Sequence, residues 1–146
     1  AVAAGLLDPL PAPARARVRV IHRFLDRPEM PLAYMAAAAA VVPYRDILTS
    51  GSAILAMGFG CPVLAPDLPA LAKALPPEIS RRYHAHGGPA ALATALDALV
   101  PLRHSGALYD IGQEAKAWVS SLSWPRADKV LFGPAMARTA ARWAAA

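Results

Sequence analysis

The sequence predicts an α/β fold, a parallel sheet layered with helices and followed by a helical tail. Three observations carry this. The run Ala40-Val41-Val42, closed by Pro43, leads through a small polar loop and a short helix to an apolar stretch ending at Pro66. That is one βαβ unit, which requires parallel strands and a right-handed crossover. Strand-like and helix-like stretches alternate early, whereas the chain from Pro89 onward reads as helix alone. Finally, the loop Thr49-Ser50-Gly51-Ser52 falls where the central helix begins. Hydroxyls and free N–H groups there point outward at the positive end of the helix dipole, which suits phosphate or another anion.

The elements follow in order. Ala1 to Gly5 reads as the tail of a strand whose beginning is absent, and Leu6 to Ala16, with three prolines, as a loop. Val18 to Ile21 is β-branched and compact and predicts a strand; His22 to Leu25 leaves it as a loop. Glu29 to Ala38 predicts a helix, with Pro28 and Pro31 near its start, where proline is tolerated. Ala39 to Val42 is the next strand and the central unit follows. Leu68 to Leu75 is a short helix stopped by Pro76-Pro77, and Ile79 to Tyr83 a weak edge strand that carries Arg81 and Arg82. Pro89 opens a helix to about Leu99, whose Leu92, Leu96 and Leu99 recur at helical spacing. Ser105 to Ser121 forms another, with Leu108, Ile111, Ala115 and Val119 on one stripe. A last helical segment starts at Ser123-Trp124-Pro125, is interrupted at Gly133-Pro134, and ends on a basic face at Arg138 and Arg142. Residues 1–124 are thus expected to form one domain, incomplete at its amino end, and 125–146 a tail.

Composition narrows the function classes. At 146 residues the chain is one domain or a piece of a larger one. Its first residue is Ala1 and no basic leader precedes the apolar start, so it is expected to be cut or processed from a longer protein. The mean hydropathy of +0.34 is high, but alanine inflates it. The longest apolar run, Met30 to Pro43, is broken by prolines and Tyr34 and falls short of the ~20 residues of a membrane span. One cysteine, Cys61, excludes an internal disulfide and a Cys-based zinc site and fits a reducing, cytoplasmic compartment. The net charge of +5 favours anionic ligands or an anionic membrane surface, or reflects only an arginine-rich composition. No dense basic cluster interleaved with aromatics is present, so nucleic acid is not expected as a partner.

The order of motifs resembles that of GT-B glycosyltransferases. Leu25 to Ala38 looks like the segment leading into that family's sheet, and Val41-Val42-Pro43-Tyr44 is similar to its next strand. Ser50-Gly51-Ser52 to Gly60-Cys61-Pro62-Val63 looks like its loop and helix ending in G-x-P-V, in the Ser-Gly variant. Ala90 to Leu96 and Ser123-Trp124 resemble its later helices. The resemblance spans Ala1 to Trp124. It implies the carboxy-terminal, donor-binding half of such an enzyme, a Rossmann-like sheet with a nucleotide-diphosphate sugar along its carboxyl edge. By that resemblance Thr49, Ser50, Gly51 and Ser52 face the diphosphate, Arg23, Phe24 and Leu25 lie beside the base, and Tyr44 borders the site. The family's Glu-x7-Glu pair falls near Ile47 and Leu55, so neither carboxylate is present. The diphosphate clamp and the catalytic base would lie outside this sequence. The implied partners are the nucleotide sugar, a glycan, lipid or small-molecule acceptor, and the enzyme's own amino-terminal domain, with peripheral contact at the inner face of a membrane. No cofactor or metal is implied.

Plainer readings stand beside these. Ser50 or Ser52 is also a natural helix N-cap. Arg45 and Asp46 read as an exposed loop pair, Tyr44 as packing at a strand end, and Gly58 and Gly60 as close helix–sheet packing and a helix cap. His84 and His86 sit two apart with no acidic or Cys neighbour in sequence, so a metal is not expected. Trp118 and Trp124 are expected in the helical core; Trp143 is a partner or membrane contact or end-of-chain packing. Two rivals remain. A nucleotide-sugar 2-epimerase of the same fold would need acidic residues in the helix after the loop, and Ala53 to Phe59 has none. A non-catalytic α/β interaction domain is favoured by the missing glutamates.

Overall fold

The computed structural model describes residues 9–26, 28–47 and 50–122. The chain divides into two compact units, one through Met30 and one from Pro31 onward. In the first, the expected loop contains a one-turn helix, α1 (Ala12–Arg15), with Pro13 in its first turn, where no N–H is needed. The strand expected at Val18–Ile21 does not form. Val18, Val20 and Ile21 are about half exposed. Their backbone has no ladder partner among the described residues. β-branched composition favours extension, but a strand exists only when a neighbour takes its hydrogen bonds. The helix α2 (Glu29–Ala36) starts on a D-x-x-E box, in which the Glu29 carboxylate accepts from the Asp26 N–H at 3.0 Å.

The second unit is the sheet and its helices. β1 (Ala40–Val41) pairs in parallel with β2 (Val63–Pro66), in register Ala40 with Val63. β2 pairs in parallel with β3 (Ser80–Tyr83), in register Val63 with Ser80. The order is β1-β2-β3. Between them run α3 (Gly51–Gly58) and α4 (Pro69–Ala74). After β3 come a 3-10 turn at Ala85–Gly87, α5 (Gly88–Ser105) and α6 (Ala107–Ser121).

All four β2 residues are buried, and their alternation divides the core. Val63 and Ala65 face a cluster with Ala53, Ala56 and Met57 of α3 and Leu71 of α4. Leu64 faces Leu99 of α5 and Leu108 and Ile111 of α6. The sheet is therefore covered on both faces, as a parallel sheet requires. Cys61 is buried in the first cluster as a small apolar residue. Burial pushes its thiol pKa up.

β3 forms despite its arginines because their guanidinium groups turn to nearby carbonyls, Arg82 to Leu75 O and Arg81 to Ser80 O. Two helical expectations are revised. α5 continues through Pro101 to Ser105, and its inward stripe is Leu92, Ala95, Leu99 and Leu102, with Leu96 exposed. The glycines of the α3 turn pack against α6 rather than the sheet. A Cβ on Gly60 would meet Gln113, and one on Gly58 would meet Val119. Trp118 packs half-buried on the core as expected. The expected strand at Ala1–Gly5, the tail from Ser123 with Trp124, Trp143, Arg138 and Arg142, and Thr49 lie outside the described residues.

Candidate functional site

Parallel pairing fixes where the loop lies. α3 must carry the chain from the carboxyl end of β1 back to the amino end of β2, so its N-terminus opens on the carboxyl rim of the sheet. Ligands of open α/β sheets bind on that rim.

Ser50 is the N-cap of α3. Its backbone is extended (φ −127°, ψ 93°), and its Oγ accepts from the Ala53 N–H at 3.1 Å. The same hydroxyl donates to the Tyr44 phenol oxygen at 3.3 Å. Ser50 is only 5% exposed, and Tyr44 packs half-buried on the core, so this pair anchors the loop from within. The two residues that follow are different. Gly51 and Ser52 are exposed. Their N–H groups meet no acceptor among the described residues. A Cβ on Gly51 would meet nothing within 4 Å. The first turn of α3 thus presents two amides without a described acceptor and the Ser52 hydroxyl, while Ser50 does the capping.

Beside this turn lies a cavity of about 670 Å³. Ser50 and Gly51 stand on its border, and Ile54, Leu55, Phe59 and Leu71 make it apolar. Leu55 contributes a hydrocarbon wall. Any ligand part that enters here meets apolar surface rather than a hydroxyl-binding acid.

A second polar group on the carboxyl rim was not legible in sequence. Asp67 follows β2 directly and His84 follows β3 directly, so parallel pairing brings them together. The Asp67 N–H donates to Tyr83 O at 2.9 Å. Its carboxylate accepts from the Ala85 N–H at 2.7 Å and lies 3.2 Å from His84 Nδ1. The Ala85 amide, helped by the His84 ring, holds the Asp67 carboxyl below its ordinary value. His84 therefore does have an acidic neighbour, 17 residues away in sequence. The His84 and His86 rings stand edge to face, 6.0 Å apart. Among the described residues no three His, Cys, Asp or Glu side chains cluster as a metal site.

Arg23, Phe24 and Leu25 belong to the first unit. Arg23 forms a two-pronged ion pair with Glu29, both bonds 2.6 Å long, and also donates to Phe24 O. Its guanidinium, with the Asp26 N–H, holds the Glu29 carboxyl at about 2. Phe24 is 97% exposed and Leu25 half-buried. Arg45 and Asp46 are exposed, as expected for a loop pair. No described helix is long and apolar enough to cross a membrane.

No protein-family model matches the chain, and no curated protein does. Among solved structures it is similar to sucrose-phosphate synthase from Thermosynechococcus elongatus, with a TM-score of 0.71 and 23% identity. The similarity covers 96% of this chain and 34% of that one, so the chain spans about a third of the length of the structure it matches. The fold is accordingly α/β, with a parallel sheet of three strands among the described residues flanked by helices, consistent with one Rossmann-like half of a GT-B architecture.

Proposed function

We propose that this chain is the donor-binding half of a glycosyltransferase, holding a nucleotide-diphosphate sugar while its glycosyl group passes to a hydroxyl acceptor. The observation that carries the reading is the open first turn of α3. Among the described residues the Gly51 and Ser52 N–H groups meet no acceptor, and they stand at the carboxyl rim next to a cavity large enough for a small ligand. Donors fixed before the reaction stabilise charge as it develops, here on the leaving diphosphate. Ser50 and Tyr44 act one step back, holding the turn in place. The apolar Leu55 wall favours recognition of the donor through its phosphates and flat surfaces rather than through carboxylate contacts to hydroxyls.

Gly51→Pro tests this at one atom. Gly51 is the first helical residue, where proline is well tolerated, its own side is open, and Ser50 is already extended. The substitution removes one N–H and leaves the helix. In the complete enzyme it should weaken binding of a nucleoside diphosphate by roughly tenfold, whereas Gly51→Ala should not. Unchanged affinity in Gly51→Pro would refute a contact between the Gly51 amide and the diphosphate.

A further inference from the structure

The opposite rim of the sheet carries a second cavity, of about 650 Å³. It lies where the chain enters β1 and β2, bordered by Ala36 to Ala38 and by Pro62. Its chemistry is unlike that of the first. Arg103 from the last turn of α5 and Lys116 from α6 line it, together with Gln113 and Tyr109, and among the described residues no acidic one does. Among the described residues neither Arg103 nor Lys116 forms an ion pair or a side-chain hydrogen bond. Tyr109 is 68% exposed, a large ring left in water.

The spacing shows that this is one surface. Tyr109, Gln113 and Lys116 are four and three residues apart, hence neighbours along one side of α6. The buried stripe Leu108, Ile111, Gly112 and Ala115 runs beside it and fixes that side against the core. One wall is aromatic: Tyr34 stacks on Phe59 with centroids 5.9 Å apart and planes 12° from parallel.

We infer that the amino-rim cavity binds a phosphate carried beside a flat aromatic ring. Tyr109 stacks on the ring, Arg103 and Lys116 take the charge, and the Gln113 amide supplies a directional hydrogen bond. Two cations without acidic partners favour an anion over a neutral ligand. An exposed tyrosine in the same lining favours a ring over a bare phosphate. The site lies away from the first turn of α3 and does not depend on the donor reading.

The test is a titration of the ¹⁵N-labelled 146-residue chain with phenyl phosphate, uridine 5′-monophosphate and inorganic phosphate. Phenyl phosphate is expected to shift the Gly60 backbone amide and the Gln113 side-chain amide saturably, leaving Gly51 and Ser52 in place. Inorganic phosphate should bind about tenfold more weakly, Arg103→Gln with Lys116→Gln at least tenfold more weakly, and Tyr109→Ala several-fold more weakly. The same shifts with the uridine nucleotide would identify the ligand as a nucleoside phosphate, and their restriction to phenyl phosphate as a smaller aryl phosphate. These side chains are exposed, so the variants should keep the wild-type spectrum elsewhere. Absence of amino-rim shifts with both aromatic probes, or wild-type affinity in the double variant, would overturn the inference.

Discussion

Gly112 of α6 lies directly against the backbone of Gly60, so closely that a Cβ on Gly112 would overlap the Gly60 carbonyl oxygen. Gly60 itself has φ +76°, in the left-handed region where a side chain is strained. α6 thus docks on the turn that ends α3 through two glycines, 52 residues apart. In an ordinary helix interior Gly→Ala gains about 1 kcal/mol. Here the obstacle is backbone, which cannot swing away, and overpacking costs about 1–3 kcal/mol. Net of the helix gain this leaves about 1 kcal/mol, so Gly112→Ala should lower the melting temperature by about 3 °C, at roughly 3 °C per kcal/mol for a chain of this size. Gly51→Ala, facing open space, should not. Equal melting temperatures for the two variants would refute the docking argument.

Ser50 and Ser52 should separate stability from binding. Ser50→Ala removes the acceptor for the Ala53 N–H and should cost about 1 kcal/mol, read as a lower melting temperature. Ser52 is exposed and caps nothing, so Ser52→Ala should stay within about 0.5 kcal/mol of wild type. If nucleotide affinity falls in Ser52→Ala while its melting curve is unchanged, the hydroxyl contacts ligand. A melting loss in Ser52→Ala equal to that in Ser50→Ala would contradict the capping assignment.

The Arg23–Glu29 pair gives the first unit a defined pH response. The Glu29 pKa, about 2, lies below the ordinary value of about 4.3. A carboxyl depressed in the folded state contributes its full stabilisation above its unfolded value and loses it as pH falls through its folded value. The start of α2 should hold above pH ~4.5 and loosen between there and pH ~2. Carbon-detected titration should place the Glu29 midpoint near 2, and Arg23→Gln should move it back toward the ordinary range. Both groups are exposed, so added salt should also raise the midpoint. A wild-type midpoint near 4.3 would mean that the pair does not persist in solution.

What the sequence made legible was local. The βαβ unit shows as an apolar run, a loop of small polar residues and a second apolar run within 27 residues, and the Ser50 cap follows from its place ahead of a helix. What it hid depends on partners far along the chain. Val18–Ile21 has strand composition, yet strand formation is decided by a neighbour, and among the described residues there is none. The Asp67–His84 contact arises only because β2 and β3 end side by side. The Gly60–Gly112 contact requires α6 to fold back on α3. Arg81 and Arg82 argued against a strand by composition, and nearby carbonyls reversed that argument.

Pro101 is the sharpest conflict between local preference and tertiary packing. Sequence rules end the helix near Leu99, since an interior proline removes one backbone hydrogen bond and crowds the preceding turn, at a cost of about 3 kcal/mol. α5 nevertheless runs on to Ser105 because Leu102, beyond the proline, continues the stripe that Leu99 presents to the core. Pro101→Ala would restore an N–H that can donate to the Asp97 carbonyl one turn back. Pro101 is exposed, so little packing is lost. Against the gain stands the greater freedom of the unfolded chain, worth about 0.4–1 kcal/mol. The helix term is the larger, and Pro101→Ala should raise the melting temperature by several degrees, with slow hydrogen exchange at the new amide. An unchanged or lower melting temperature, with rapid exchange there, would mean that α5 is bent at this point and that the bend itself is required by the packing.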